Sequence, residues 1–276
     1  MAVASIAAAA ERFEAMGFVL TPFSAHSGAW KPGDPVARLG AGNRCAIFPR
    51  NYLEILASED PARPAERIER FLAHHQGAHI ICFGTDVPQA LDARLAAAGV
   101  KTSGVIPLQR DVDTPEGTRT AKFERVQFAP DASPEGFIQA ARHLTPEHIH
   151  QPRYMTHSNG ATELAEVILI ADDADAFERK YARYTGGAAE KNGVKRTFRF
   201  PLVSAVSIVA ARDAASVLPG SLLPPMPGIA GVAFKTARLD EVRERLGAAR
   251  IRYAAQDGRI VVPAEEALGV AVVFES

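Results

Sequence analysis

Four times along the chain the apolar positions change period in the same order. The clearest passage reads "AHIICFG" from Ala78 to Gly84, an apolar run of strand length. It is followed from Asp86 to Val100 by "DVPQALDARLAAAGV", where leucines and alanines recur at helical spacing and Gly99 suits a C-terminal cap. Strand-like segments then come at "GVIPLQRDV", "TRTAKFERVQFAP" and "GFIQAAR". The unit is βαβββ. A further copy starts at "LAEVILIADDADAFERKYARYTGG", with a strand over Leu164 to Ala171 and with Asp172, Asp173 and Asp175 near the positive end of the following helix. Another starts at "IAGVAFKTARLDEVRERLGAARIRYAAQDGRIVVP" and closes with "GVAVVFE".

The N-terminal stretch fits as a copy without its opening strand. "IAAAAERFEAMGF" supplies the helix and its terminal Gly17, "GNRCAIF" and "NYLEIL" read as later strands, and "MAVAS" reads as the tail of a first strand. Proline-rich connectors, "EDPARPAERIERF" and "VLPGSLLPPMPG", fall between copies as loops. The pattern predicts an α+β chain of paired βαβββ modules in mixed sheets, one pair over residues 1–155 and a second, structural in role, over 156–276. A doubly wound parallel sheet would need helices between the later strands, and the pattern offers none. An opening strand that is missing also predicts a bare sheet edge beside "NYLEIL", to be covered or paired, for instance in a homodimer.

Composition narrows the function. The 276 residues are 47% hydrophobic and 23% charged with formal net charge −1, so no basic excess offsets a phosphate backbone and nucleic acid is not an expected partner. The longest apolar run, Val203 to Ala211, is far shorter than the ~20 residues a membrane span needs. The start carries Glu11, Arg12 and Glu14 and no basic n-region, so it does not read as a secretory signal, and a cytoplasmic protein acting on a small molecule is expected. Cys45 and Cys82 have no neighbouring cysteine and read as small buried hydrophobes. No Gly-rich phosphate loop, Gly-x-Ser-x-Gly elbow or Cys/His nucleophile set is present.

The chemistry gathers in the first half. All 8 histidines lie between His26 and His157. Glu54 interrupts the apolar strand "NYLEIL", and a carboxylate there is costly unless paired or metal-bound. His79 sits at the start of the apolar strand of the next unit, and a His–Glu set is what a divalent cation takes. Without a metal, an ion pair of Glu54 with an arginine such as Arg44 is the simpler explanation. His143 follows directly on "GFIQAAR", while His148, His150 and His157 read as a loop packed over a pocket, with Pro146 and Pro152 arguing against a strand. In the second half Glu166 reads as a solvated or hydrogen-bonded strand residue.

"GFVLTPFSAHSG", "GNRCAIFPRNYLEIL" and "RHLTPEHIHQPRYMTHSNGA" resemble the glyoxalase-like domain family of the vicinal oxygen chelate superfamily. The resemblance implies curved sheets around a cavity and a divalent metal (Zn, Ni, Mn, Fe or Mg) held from first and last strands of two modules. Carried over, Glu54 would be both ligand and catalytic group, His79 and His143 would be the further metal ligands, and His26, Asn43 and Arg44 would touch substrate. It implies a lyase or isomerase that chelates a small oxygenated substrate by Lewis-acid chemistry. A ring-cleaving dioxygenase on two histidines and a carboxylate, and a non-catalytic binding protein with a decayed metal site, stay open beside it.

Overall fold

The computed structural model describes residues 1–28, 33–58, 60, 62–63, 65–200 and 204–276. The first unit holds residues 1–3, helix α1 (Ile6–Ala15) and strands β1 (Ser24–Gly28), β2 (Ala37–Ile47) and β3 (Tyr52–Ser58). Helix α2 (Glu66–His74) leads to the second unit: β4 (Ile80–Gly84), α3 (Pro88–Ala97), β5 (Thr102–Thr114), β6 (Gly117–Phe128) and β7 (Phe137–His143). After the single turn α4 (Pro146–Ile149) comes the third: β8 (Ala161–Ala171), α5 (Ala174–Thr185), β9 (Glu190–Asn192), β10 (Lys195–Arg199) and β11 (Ala205–Ala210). The turn α6 (Ala214–Val217) precedes the fourth: β12 (Gly228–Thr236), α7 (Leu239–Ala248), β13 (Ala254–Gln256), β14 (Arg259–Val262) and β15 (Ala271–Glu275).

Local chemistry sets these boundaries. Ser5 and Asp173 cap α1 and α5 by accepting from the backbone N–H groups of Ala8 and Ala176. Gly99 and Gly186, at φ 73° and 76°, take up the left-handed turn that ends α3 and α5. Two expectations need correcting. The connector "EDPARPAERIERF" contains α2, whose Ile68, Phe71 and Leu72 pack against Leu56 and Ile80; its residues Glu59, Pro61 and Pro64 lie outside the described set, as does Val203 of the long apolar run. The first unit has three later strands rather than two, because the small polar stretch Ser24–Gly28 pairs with both β2 and β5.

All four units share one strand order. In the second, third and fourth the first strand lies parallel to the last, β4 on β7, β8 on β11 and β12 on β15. In the first unit that place beside β3 is held by residues 1–3 alone: Ala2 bridges Leu56 in parallel, and Val3 N–H donates to Leu56 O at 2.9 Å. Ala2 also bridges Gly77 in antiparallel fashion, so the edge beside β3 is covered there and the first sheet, β3-β2-β1-β5-β6-β7-β4, curls until its two ends meet. The second sheet runs β13-β14-β15-β12-β8-β11-β10-β9.

The largest apolar cluster draws on one face of both sheets and on α1, α3, α5 and α7. Phe18 meets Phe234 at 4.8 Å and Phe274 at 5.8 Å between ring centroids, and Phe48 meets Phe234 at 5.5 Å. That shared core leaves each sheet a second, concave face. No helix of the described residues is long and apolar enough to cross a membrane.

Candidate functional site

Strand alternation decides which side chains face the hollow of the first sheet. Leu53, Ile55 and Ala57 of β3 enter the shared core, so Tyr52, Glu54 and Leu56 point the other way. By the same alternation Asn43 and Cys45 of β2, His26 of β1, Arg110 of β5, Phe123 and Arg125 of β6, Gln139 and His143 of β7 and Cys82 of β4 line the hollow. One end is filled: Ile149, Tyr154 and Met155 pack on Cys45, Ile47 and Phe123. Behind Arg110 this leaves a cavity of about 20 Å³ against Phe23, Ile149 and Tyr154, room for a single water. The opposite end is lined by α2. Exposed Cys82 and Gly84 mark where the hollow opens to solvent.

At its centre runs a chain of three side chains. Asn43, fully buried, donates through Nδ2 to Glu54 Oε1 and accepts through Oδ1 from Arg110 Nη1. Arg110 Nη1 also lies 3.6 Å from Cys45 Sγ, and its guanidinium carbon lies 6.0 Å from the Tyr52 ring centroid and 5.9 Å from that of Phe123. Glu54 therefore sits one amide away from a buried guanidinium, with 27% of its side chain still open. Burial works against its charge. His26, Arg110, the N-terminal ammonium and the Asn43 hydrogen bond outweigh burial and hold its pKa below the ordinary 4.5. His26 Nε2 faces Glu54 Oε1 at 3.7 Å, beyond hydrogen-bonding range, and has no hydrogen-bond partner. Burial, reinforced by Arg110, Arg125 and Arg67 against the pull of Glu54, lowers the His26 pKa to about 4. At neutral pH the pair is thus a carboxylate beside a neutral imidazole.

The other expected residues lie elsewhere. Arg44 reaches outward, donating to Thr21 O at 2.8 Å and to Glu14 at 2.9 Å, so the arginine that acts on Glu54 is Arg110. His79 turns to α2: it stacks on Phe71 at 4.6 Å and its Nε2 donates to His75 O at 2.8 Å. His143 does face the hollow, but between rings, at 4.9 Å from Phe123, 5.8 Å from Tyr52 and 5.5 Å from His150. The later histidines tie the loop to the sheet. His148 donates to Thr120 O, His150 to Phe48 O, and His157 to Ile47 O while accepting from Val19 N–H. Cys45 is buried as expected; Cys82, expected to be buried as well, is exposed. Glu166 is 7% exposed and fully engaged, with Lys195 Nζ at 2.6 Å and Ser207 Oγ donating to it.

These placements test the divalent metal that the family resemblance implies. Glu54, His79 and His143 do not converge, and no set of three His, Cys, Asp or Glu side chains among the described residues could hold a metal ion. Glu54 and His26 are the nearest approach to a ligand set, and the Arg110 guanidinium already supplies positive charge beside them. The donor set does not fit a metal.

Residues 1–185 match the family described as a glyoxalase-like domain. Among solved structures, a hypothetical protein from Staphylococcus aureus aligns over 91% of this chain and 89% of its own, with 14% identity and a TM-score of 0.61. A mutant of 4-hydroxymandelate synthase from Streptomyces coelicolor aligns over 99% and 92%, with 11% identity and a TM-score of 0.60. At such identities the likeness is one of fold. No curated protein matches the chain.

Proposed function

Because the chain belongs to the glyoxalase-like domain family, we propose that the hollow of its first sheet binds a small oxygenated molecule, with Glu54 as the fixed acceptor for a ligand hydroxyl or amine. The observation that carries this is the Glu54–Asn43–Arg110 chain. It holds a partly open carboxylate ionised on a concave face, ready to accept and reluctant to take up a proton. A general base works best with a pKa near the working pH, and neither Glu54 nor His26 has one. Binding is therefore favoured over proton transfer. A metal-dependent lyase, isomerase or dioxygenase draws support from the family and from the place of Glu54 in β3, the last strand of its unit, but the side chains around Glu54 offer too few ligands.

Calorimetric titration of chelator-treated protein with lactamide, glycerol, lactate and catechol tests the reading. At least one probe binds, and Glu54→Gln weakens it by about 10-fold or more, the worth of a hydrogen bond to a charged group. Binding that appears only after Mg, Mn, Fe, Ni or Zn is added overturns the reading in favour of metal chemistry. Binding indifferent to Glu54→Gln, or absent for every probe, overturns it as well.

A further inference from the structure

Glu54, Asn43 and Arg110 satisfy one another, but further along the same concave wall two amides do not. Along β6, Val126 and Phe128 enter the shared core, and along β7 so do Ile138 and Ala140, which leaves Gln127 and Gln139 on the hollow side. On β4, Ile81 and Phe83 turn to the core and leave Cys82 and Gly84 on the hollow side. Strand register joins the three polar residues in a row. Gln127 lies opposite Gln139 in the antiparallel pair of β6 and β7, and Gln139 lies beside Cys82 in the parallel pair of β4 and β7. The row stands at the open end of the hollow: Cys82 and Gly84 are exposed, and a Cβ on Gly84 would meet nothing within 4 Å.

Directly opposed residues of antiparallel strands hold their Cβ atoms about 4.5–5.5 Å apart, so the two amides are within reach of each other. Even so, Gln127 Nε2 and Gln139 Oε1 are enclosed and have no hydrogen-bond partner among the described residues. An enclosed amide atom without a partner is costly, and two of them on adjoining strands, beside open space, call for a function. One is a donor and the other an acceptor. A carboxamide carries the complementary pair on one planar edge, whereas an ester or a carboxylate offers acceptors alone. We propose that Gln127 and Gln139 form a binding subsite at the mouth of the first hollow that takes the carboxamide group of a small ligand. The ligand's carbonyl oxygen accepts from Gln127 Nε2, and its N–H donates to Gln139 Oε1. Both side chains turn to meet it about their last torsion, which is soft.

Acetamide, methyl acetate and acetate make the test, followed by NMR shifts of the backbone amides of Cys82, Gln127 and Gln139 in the full chain. Acetamide shifts these signals saturably and binds about 5-fold tighter than either of the others, the worth of one further hydrogen bond. Gln127→Met weakens acetamide and methyl acetate alike, because both use the carbonyl. Gln139→Met weakens acetamide about 5-fold and leaves methyl acetate unchanged within about 2-fold. Neither variant lowers the urea midpoint, since each removes an amide that has no partner to lose. A lower midpoint in either variant shows that the two glutamines serve each other and overturns the proposal. Equal affinity of acetamide and methyl acetate for the wild type, or an acetamide affinity unmoved by Gln139→Met, overturns it as well. Acetamide has no hydroxyl, so the result does not depend on the role proposed for Glu54.

Discussion

Replacing Arg110 by methionine keeps most of the side chain's length and removes only its charge and donors. Two consequences can be sized from the geometry. Asn43 Oδ1, in a residue with no exposed surface, loses a charged donor, a loss worth about 1.5–3 kcal/mol. Glu54 loses the field of a guanidinium that is two hydrogen bonds and one amide away, roughly 7 Å, or about 2 kcal/mol at an effective dielectric near 20. The single variant should therefore unfold about 3–5 kcal/mol more easily in urea at pH 7. A cycle with Glu54→Gln isolates the second part, and the coupling should be about 1–2 kcal/mol, since the carboxylate is partly open. The sign with pH is fixed. Glu54 titrates below its ordinary 4.5, so its stabilising share is present above that value and is lost as pH falls through the lowered pKa. The coupling must shrink on acidification. A coupling below about 0.5 kcal/mol at pH 7, or one that grows in acid, would refute the idea that Arg110 is the counter-charge of Glu54.

Two further outcomes follow from the fold. The His79 pKa is lowered to about 4 by burial, against an ordinary 6.5, so the unfolded chain binds its proton first and stability falls as pH drops through that window by about 1.4 kcal/mol per unit. His79→Phe should flatten that slope in urea midpoints measured from pH 7 to 5, and curves parallel to wild type would contradict it. Gly77 has φ 148°, and a Cβ there would stand 2.4 Å from Gly269 O, so Gly77→Ala should cost about 2–5 kcal/mol and lower the calorimetric Tm by several degrees. A Tm within one degree or so of wild type would show that this crossing of the two sheets yields freely.

The repeated unit was legible because its signals are local. Period 2 gives way to period 3.6, and a glycine in the left-handed region closes the helix, as at Gly99. The strand Ser24–Gly28 was not legible, since "SAHSG" has no apolar alternation and is held as a strand only by neighbours distant in sequence. Helix α2 was masked by its prolines upstream, although Ile68, Phe71 and Leu72 carry a helical period. At the site, Glu54 stood out as a charge in an apolar strand. Arg110 and Arg125 carried the same kind of signal: Leu108, Arg110 and Val112 alternate on one face, as do Ala121, Phe123 and Arg125. His79 misled because composition reports that a histidine is present in a strand and says nothing of which way it turns. Here a free carbonyl at His75 and the face of Phe71 decide it.

The two hollows explain why one repeated unit bears a candidate site once. In the second sheet, Val217 and Leu218 around α6 pack into the concave face against Ile168, Ile170, Val209, Val261 and Val273. Its one buried carboxylate, Glu166, is satisfied inside the sheet by Lys195 and Ser207, and Ser207 in turn shares a hydrogen bond of 2.8 Å with Thr197. In the first sheet the equivalent filling reaches only one end, and the remainder keeps a partly open carboxylate, an imidazole nitrogen without a partner and an exposed thiol at its mouth. Each of these carries a cost that an apolar plug would have removed. A chain that fills one hollow with valine and leucine and leaves the other lined with arginine, histidine and glutamate shares its core between both sheets and, on the binding role proposed for Glu54, keeps the first hollow for a ligand.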